Sequence, residues 1–408
     1  MSIARKLTDI AVEDGQPDMT SSATFASSPG LSVGPFVVRV HDRLKPPEAI
    51  WRRLERDPWN SLHQAFDWCD AWVKTHDYPV VVIEASIGGE TAFILPLEIE
   101  RKAGVRIARF IASSYSNYNS GLFTAALRQQ QFGPSLWHQV LRTALAGKAD
   151  LVCLTNMPLA WRDERHPLGG LRADPNPNSA FQLTLGPDME ATIAVLNAKS
   201  RRKKHRVQLK RMDEAGGFEH VRARSRGDKQ IVLDSFFRQK AERFETAGLP
   251  DVFKAPETQA FFRLLLDADN GGKDVPLELH AIRMKGLHAG KIAAILGVSR
   301  KGDHVICQFG SIDDRLAPEA SPGELLFWLT IEESAVSGAK IFDFGIGDQD
   351  YKRRWCRTET PHFDILYPIN TIGQIAAFGS RLTSRFKRWV KNHPQLYGIL
   401  QRLRSAAG

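Results

Sequence analysis

A short apolar run, Ile341-Phe-Asp-Phe344, is broken at once by Gly345 and Gly347 and followed by a polar block that holds Asp348, Asp350, Tyr351, Lys352 and Arg353. Four such residues bounded by turn formers read as a buried strand. Alternation along it sets Asp343 on the face opposite Phe342 and Phe344. Upstream, Ser321-Pro-Gly-Glu-Leu-Leu-Phe-Trp-Leu-Thr-Ile-Glu-Glu-Ser-Ala has the marks of a helix start. Ser321 suits the cap, Pro322 the first helical position, and Leu325, Leu326, Leu329 and Ala335 fall near helical spacing. Before that helix come three apolar stretches, 278–284, 291–299 and 304–311, separated by Gly-containing turns. A strand meander, a helix and a further strand in this order call for a mixed sheet covered by helices.

At 408 residues the chain is too long for one ordinary core and suits two domains. No run of 18 uncharged apolar residues occurs, and Met1 to Thr20 lacks the apolar stretch of a secretory signal, so a cytoplasmic protein is expected. Cys69, Cys153, Cys307 and Cys356 are scattered, with no Cys-x-x-Cys pair and no histidine cluster nearby. Reduced, buried thiols and no metal are the expectation. The net charge of +9 is concentrated: eight of the thirteen residues from Lys199 to Arg211 are Lys or Arg, and no acid follows Gly373. Such segments suit an acidic partner, whether cofactor phosphates, an anionic membrane surface or RNA, although a solvated face explains a charge run equally well.

Four segments follow. Residues 1–33, poor in large apolar side chains, read as a mobile leader. The segment 34–178 reads as a first α/β domain: a strand at Phe36, helices around 47–56 and 64–75, a hairpin of 80–85 with 91–101 turning at Gly88-Gly89, a strand at 105–111, a helix at 131–146 and a strand at 150–155. A Gly/Pro/Asn-rich stretch, 168–179, marks the boundary. The segment 179–370 opens with a strand at Phe181, continues with a basic helix started by Ser200 and stopped by Gly216-Gly217, and ends in the meander, helix and strand described above. The tail, 371–408, reads as a basic amphipathic helix with Leu382, Phe386, Trp389 and Val390 on one side, interrupted by Pro394.

Ser321-Pro-Gly-Glu-Leu-Leu, Phe342-Asp-Phe-Gly-Ile-Gly-Asp and Tyr351-Lys-Arg-Arg-Trp, preceded by the basic run, resemble the CelD-like acetyltransferases associated with cellulose and exopolysaccharide biosynthesis. This family is a branch of the GNAT (Gcn5-related N-acetyltransferase) superfamily, and the resemblance is best over 188–361. It implies a tandem GNAT-like fold of two mixed-sheet halves with flanking helices, the first half without the chemistry, as in the related Fem-type peptidyl transferases. It further implies acetyl-CoA as co-substrate, no metal, and a small amine such as an amino sugar as acceptor. A Fem-type transferase using aminoacyl-tRNA, and an inactive GNAT-like scaffold, stand as alternatives.

Acyl transfer from a thioester needs a cradle for pyrophosphate, a base for the amine and an acid for the thiolate. Ser321, Pro322, Gly323, Glu324 and Leu325 form the first turn of the helix, where free N–H groups and the positive dipole end favour phosphate; the same turn also serves as an ordinary cap. In the resemblance Tyr351 is the acid, and a phenol's ordinary pKa of about 10 lies close to that of a thiol; a core tyrosine is the competing reading. Asp343, facing a cleft with its pKa raised by burial, and Asp348 are the candidate bases. Lys352 is the candidate anion contact. A tail lying on an anionic membrane would make the protein membrane-peripheral, against simple packing on its own domain.

Overall fold

The computed structural model describes residues 30–268 and 274–391, with side chains to 383. Most of the expected leader and the tail beyond Lys391, with Pro394, lie outside the described residues.

The strands in chain order are β1 (Leu31–Val33), β2 (Phe36–His41), β3 (Val80–Ile87), β4 (Glu90–Lys102), β5 (Val105–Phe110), β6 (Leu122–Phe123), β7 (Leu151–Met157), β8 (Ala160–Trp161), β9 (Glu164–Arg165), β10 (Ala173–Pro175), β11 (Ala180–Thr184), β12 (Phe218–Arg222), β13 (Val275–Met284), β14 (Ile292–Lys301), β15 (His304–Ile312), β16 (Ile341–Ile346), β17 (Thr358–Thr360) and β18 (Phe363–Pro368). The helices are α1 (Glu48–Leu54), α2 (Phe66–Thr75), α3 (Ala125–Arg128), α4 (Pro134–Leu145), α5 (Met189–Ala194), α6 (Ala198–Glu214), α7 (Arg226–Thr246), α8 (Pro256–Asp267), α9 (Pro322–Val336), α10 (Asp350–Trp355) and α11 (Thr371–Lys391). Leu31–Val33, read as leader, is thus an edge strand. The polar block after Gly347 holds a short helix, α10.

Two large sheets result, ordered β1-β2-β3-β4-β5-β7-β18-β10, with β6 on β4, and β12-β13-β14-β15-β16-β11-β17, beside a two-stranded ribbon, β8-β9. Each repeats one plan. An antiparallel meander ends in a strand, a helix crosses over, and the next strand returns parallel: β5–α4–β7 in the first sheet and β15–α9–β16 in the second. Parallel neighbours need such a crossover, whereas the β3–β4 hairpin closes at Gly88 and Gly89, both with positive φ as its tight turn requires.

The second sheet uses only residues 180–360, and the first takes its last strand from beyond them. β18 pairs antiparallel with β7 and with β10, joining Ala173 to Ile365. The second unit is therefore inserted between two neighbouring strands of the first. One apolar cluster spans both, with Trp51, Trp68 and Trp72 of the first unit packed with Phe236, Phe261 and Phe309 of the second. Trp68 meets Phe261 edge-on with ring centres 5.4 Å apart, a contact worth about 0.5–1.5 kcal/mol beyond burial.

The basic helix α6 starts at Asn197, whose side chain accepts from the Ser200 N–H, so Ser200 lies inside the first turn and does not cap. Part of its charge is already matched: Arg201 and Lys204 on Glu324, Arg202 on Glu190.

Candidate active-site cleft

Strands β15 and β16 pair only from His304↔Ile341 to Ile306↔Asp343. Beyond that point Gln308 is an extra residue in β15, since Cys307 pairs with Val298 and Phe309 with Gly297. A bulge of this kind bends its strand. β16 turns away at Gly345, φ 71°. The two strands separate, and a cleft of about 510 Å³ opens between them, lined among others by Leu296, Phe309, Phe327, Phe344 and Tyr351.

The first unit wedges this opening with Asn117. Its amide nitrogen donates to the Cys307 carbonyl and to Gln308 Oε1, both at 3.0 Å, while its Oδ1 accepts from the Ile346 N–H at 3.3 Å. A Cβ on Gly345 would lie 2.4 Å from that Oδ1, so only glycine fits there. Gln308 also touches the buried His63 ring, whose pKa burial lowers to about 4.

The N-terminus of α9 reaches the cleft through Gly323 and Glu324. Its details differ from the sequence expectation. Ser321 sits in the left-handed region, φ 50°, and makes no side-chain cap. The N–H groups of Glu324 and Leu325 both donate to the Ser321 carbonyl, and Pro322 has none to offer. Of the expected cradle this leaves the Gly323 N–H; Pro322 and Leu325 are buried. Glu324 is held by Arg201 and Lys204. The cleft is also lined by Lys240 and Arg243 of α7, neither of them in an ion pair among the described residues. Burial, then the neighbouring Arg243, lowers the Lys240 pKa. Nothing in the sequence set these two apart from the charges of any solvated helix.

Tyr351 lies on α10 with its ring stacked on Phe327, centres 5.5 Å apart. Burial raises its pKa, so the phenol stays protonated, and no hydrogen bond to its hydroxyl is found among the described residues. Lys352, expected at an anion, is buried instead; its Nζ donates to the carbonyls of Gly345 at 3.0 Å and Ile346 at 2.7 Å and pins the end of β16. Asp348 is paired with Arg353 at 2.6 Å.

Asp343 does face away from Phe342 and Phe344, but towards the interior between the units and not into the cleft. It is fully buried and accepts from the Gly345 N–H at 2.7 Å, Gln182 Nε2 at 2.8 Å and His304 Nε2 at 3.3 Å. His304 Nδ1 in turn meets the Tyr118 hydroxyl of the first unit at 3.0 Å. Desolvation opposes the charge, yet His304, Gln182 and the Gly345 N–H outweigh it and lower the pKa. The expected raised pKa of a base is thus reversed, because the site supplies three donors.

Residues 199–353 match the family model described as an acetyltransferase (GNAT) domain. Among solved structures the chain is similar to the crystal structure of FemX, with a TM-score of 0.55 and 13% identity over 78% of this chain and 96% of that one. A tandem GNAT protein from the clavulanic acid biosynthesis pathway superimposes with a TM-score of 0.46 and 11% identity over 82% of this chain and 99% of that one. No curated protein matches. The matched segment is thus similar to a GNAT acetyltransferase domain, and it folds as a mixed sheet covered by helices. The match falls within the inserted unit, which also carries the split strands and Tyr351.

Proposed function

We propose that the protein transfers an acyl group, acetyl in the simplest case, from coenzyme A to the amine of an amino sugar or another small molecule, by direct attack within a ternary complex. The observation that carries this reading is the split between β15 and β16, lined by the start of α9 and by Lys240 and Arg243, two cations in no ion pair among the described residues. Lys240, Arg243 and the Gly323 N–H meet the pyrophosphate, and the thioester lies along the open edge of β15. Tyr351 gives its proton to the departing thiolate. The amine's proton passes to water, since Asp343 is sealed and Glu324 is held by two cations. Asp343 holds the strand end in shape, and Asp348 pairs with Arg353 at the cleft's rim.

The Ser-Pro-Gly-Glu-Leu-Leu, Phe-Asp-Phe-Gly and Tyr-Lys segments favour the CelD-like family and hence an acceptor in exopolysaccharide or envelope synthesis. Exposed Ile372, Ile375, Phe378 and Leu382 on α11, in an acid-free segment, suit a peripheral contact with an anionic membrane; no helix among the described residues is long and apolar enough to cross one.

Titration calorimetry with acetyl-CoA tests the proposal. Binding in the micromolar range is expected, and no binding at high micromolar cofactor by folded protein refutes it. The fold shared with FemX along 96% of that chain supports a second reading, transfer from aminoacyl-tRNA. In that case tRNA binds with steep salt dependence and acetyl-CoA does not.

A further inference from the structure

At the other end of α9, nine residues and about 14 Å along the helix from Glu324, three side chains from three elements converge. His220 stands on β12, His280 on β13 and Glu333 on α9, and their ligand-capable atoms all lie within 4.8 Å of one another. The β12–β13 register, Arg222↔His280 and His220↔Ile282, puts both imidazoles on one face of the sheet. His220 Nε2 and His280 Nδ1 are 3.2 Å apart. Two imidazole nitrogens on one tetrahedral zinc, each about 2.0–2.1 Å from the ion, stand about 3.3 Å apart. Glu333 Oε2 lies 3.7 Å from His280 Nδ1.

The surroundings set these groups up as ligands. His280 Nε2 meets Glu278 Oε1 at 2.9 Å, which places the ring proton there and turns the Nδ1 lone pair towards His220 and Glu333. This is the carboxylate–histidine pairing that orients metal ligands. Arg222 bridges Glu278 and Glu333 and fixes both carboxylates in place. The remaining side of the cluster opens on a cleft of about 700 Å³ that Glu278, His280 and Glu333 line together with Arg162 and Arg300.

We propose that His220, His280 and Glu333 bind one divalent cation of the zinc class, with a fourth position open to this cleft for water or an anionic oxygen. On binding, His220 keeps its proton on Nδ1 and presents Nε2 to the ion. Separations of 60 and 53 residues between the ligands hide the site from any reading by spacing.

The full chain, stripped with chelator, is titrated with Zn²⁺ by calorimetry and with Co²⁺ by visible absorption. One equivalent is expected. His280→Ala and Glu333→Gln should each weaken binding by about tenfold or more, and His288→Ala should leave it unchanged. Glu333→Gln keeps the size of the side chain and an oxygen for Arg222, so it decides the matter if His280→Ala does not fold. Folded wild-type protein that binds no Zn²⁺, or Glu333→Gln binding as tightly as wild type, overturns the proposal.

Discussion

Asp343→Asn changes one oxygen to an amide nitrogen in a site with no room and no water-facing side. The carboxylate accepts three hydrogen bonds, from Gly345, Gln182 and His304. The amide keeps one acceptor and turns its NH₂ against a donor, either Gln182 Nε2 or the Gly345 N–H. Hydrogen bonds to a charged group contribute about 1.5–3 kcal/mol each, and a buried donor left unsatisfied costs about 1–3 kcal/mol. A loss of about 3 kcal/mol is therefore expected. With a denaturant slope of about 1–3 kcal/mol per molar, the urea midpoint should fall by about 1–3 M. Trp328 and Trp355 report on the same unit by fluorescence, and circular dichroism follows the whole chain. Acid supplies a second check. Because the folded-state pKa of Asp343 lies below its ordinary 3.8, its contribution is present above about pH 4 and is lost as pH falls through the folded value. The gap between wild type and variant should narrow in that range. A variant with a wild-type midpoint at pH 7 would refute the assignment of Asp343 as a buried, charged anchor.

Tyr351→Phe keeps the ring stacked on Phe327 and removes only the hydroxyl; transfer should slow by about 10²–10⁴-fold with cofactor affinity unchanged, read by thiol release and calorimetry, and equal rates would remove Tyr351 from the mechanism. Replacing Lys240 and Arg243 together with Ala should weaken acetyl-CoA binding by about tenfold and flatten its salt dependence, whereas unchanged affinity would move the pyrophosphate elsewhere. Gly345→Ala combines a positive φ with an approach of 2.4 Å to Asn117 Oδ1; a destabilisation of about 1–3 kcal/mol is expected, visible as a lower melting temperature, and Asn117→Ala should relieve part of it in the double variant.

Local signals in the sequence were enough for the meander, α9 and β16, because those elements carry apolar runs of the right period with glycines at their ends. Alternation also put Asp343 opposite its phenylalanines. What faces Asp343 was not legible, since Gln182, His304 and Tyr118 arrive from three distant segments, one of them in the other unit. Lys352 read as an anion contact because its two acceptors are backbone carbonyls, which leave no trace in a sequence. β10 and β18 are short and pair across nearly two hundred residues, so no local pattern announces that the first unit closes last.

That closure sets an order of events during synthesis. β10 ends at Pro175 and its partner strand begins at Phe363. At about 5–20 residues per second, roughly 10–40 s separate their emergence from a ribosome. The inserted unit has all its strands by Thr360. The edge of β7 meanwhile waits without β18, an unpaired strand of the kind that invites wrong partners. The half that carries the candidate cleft, though second in the chain, is thus the first able to complete its sheet, and the other half keeps one strand edge open until Phe363–Pro368 has emerged.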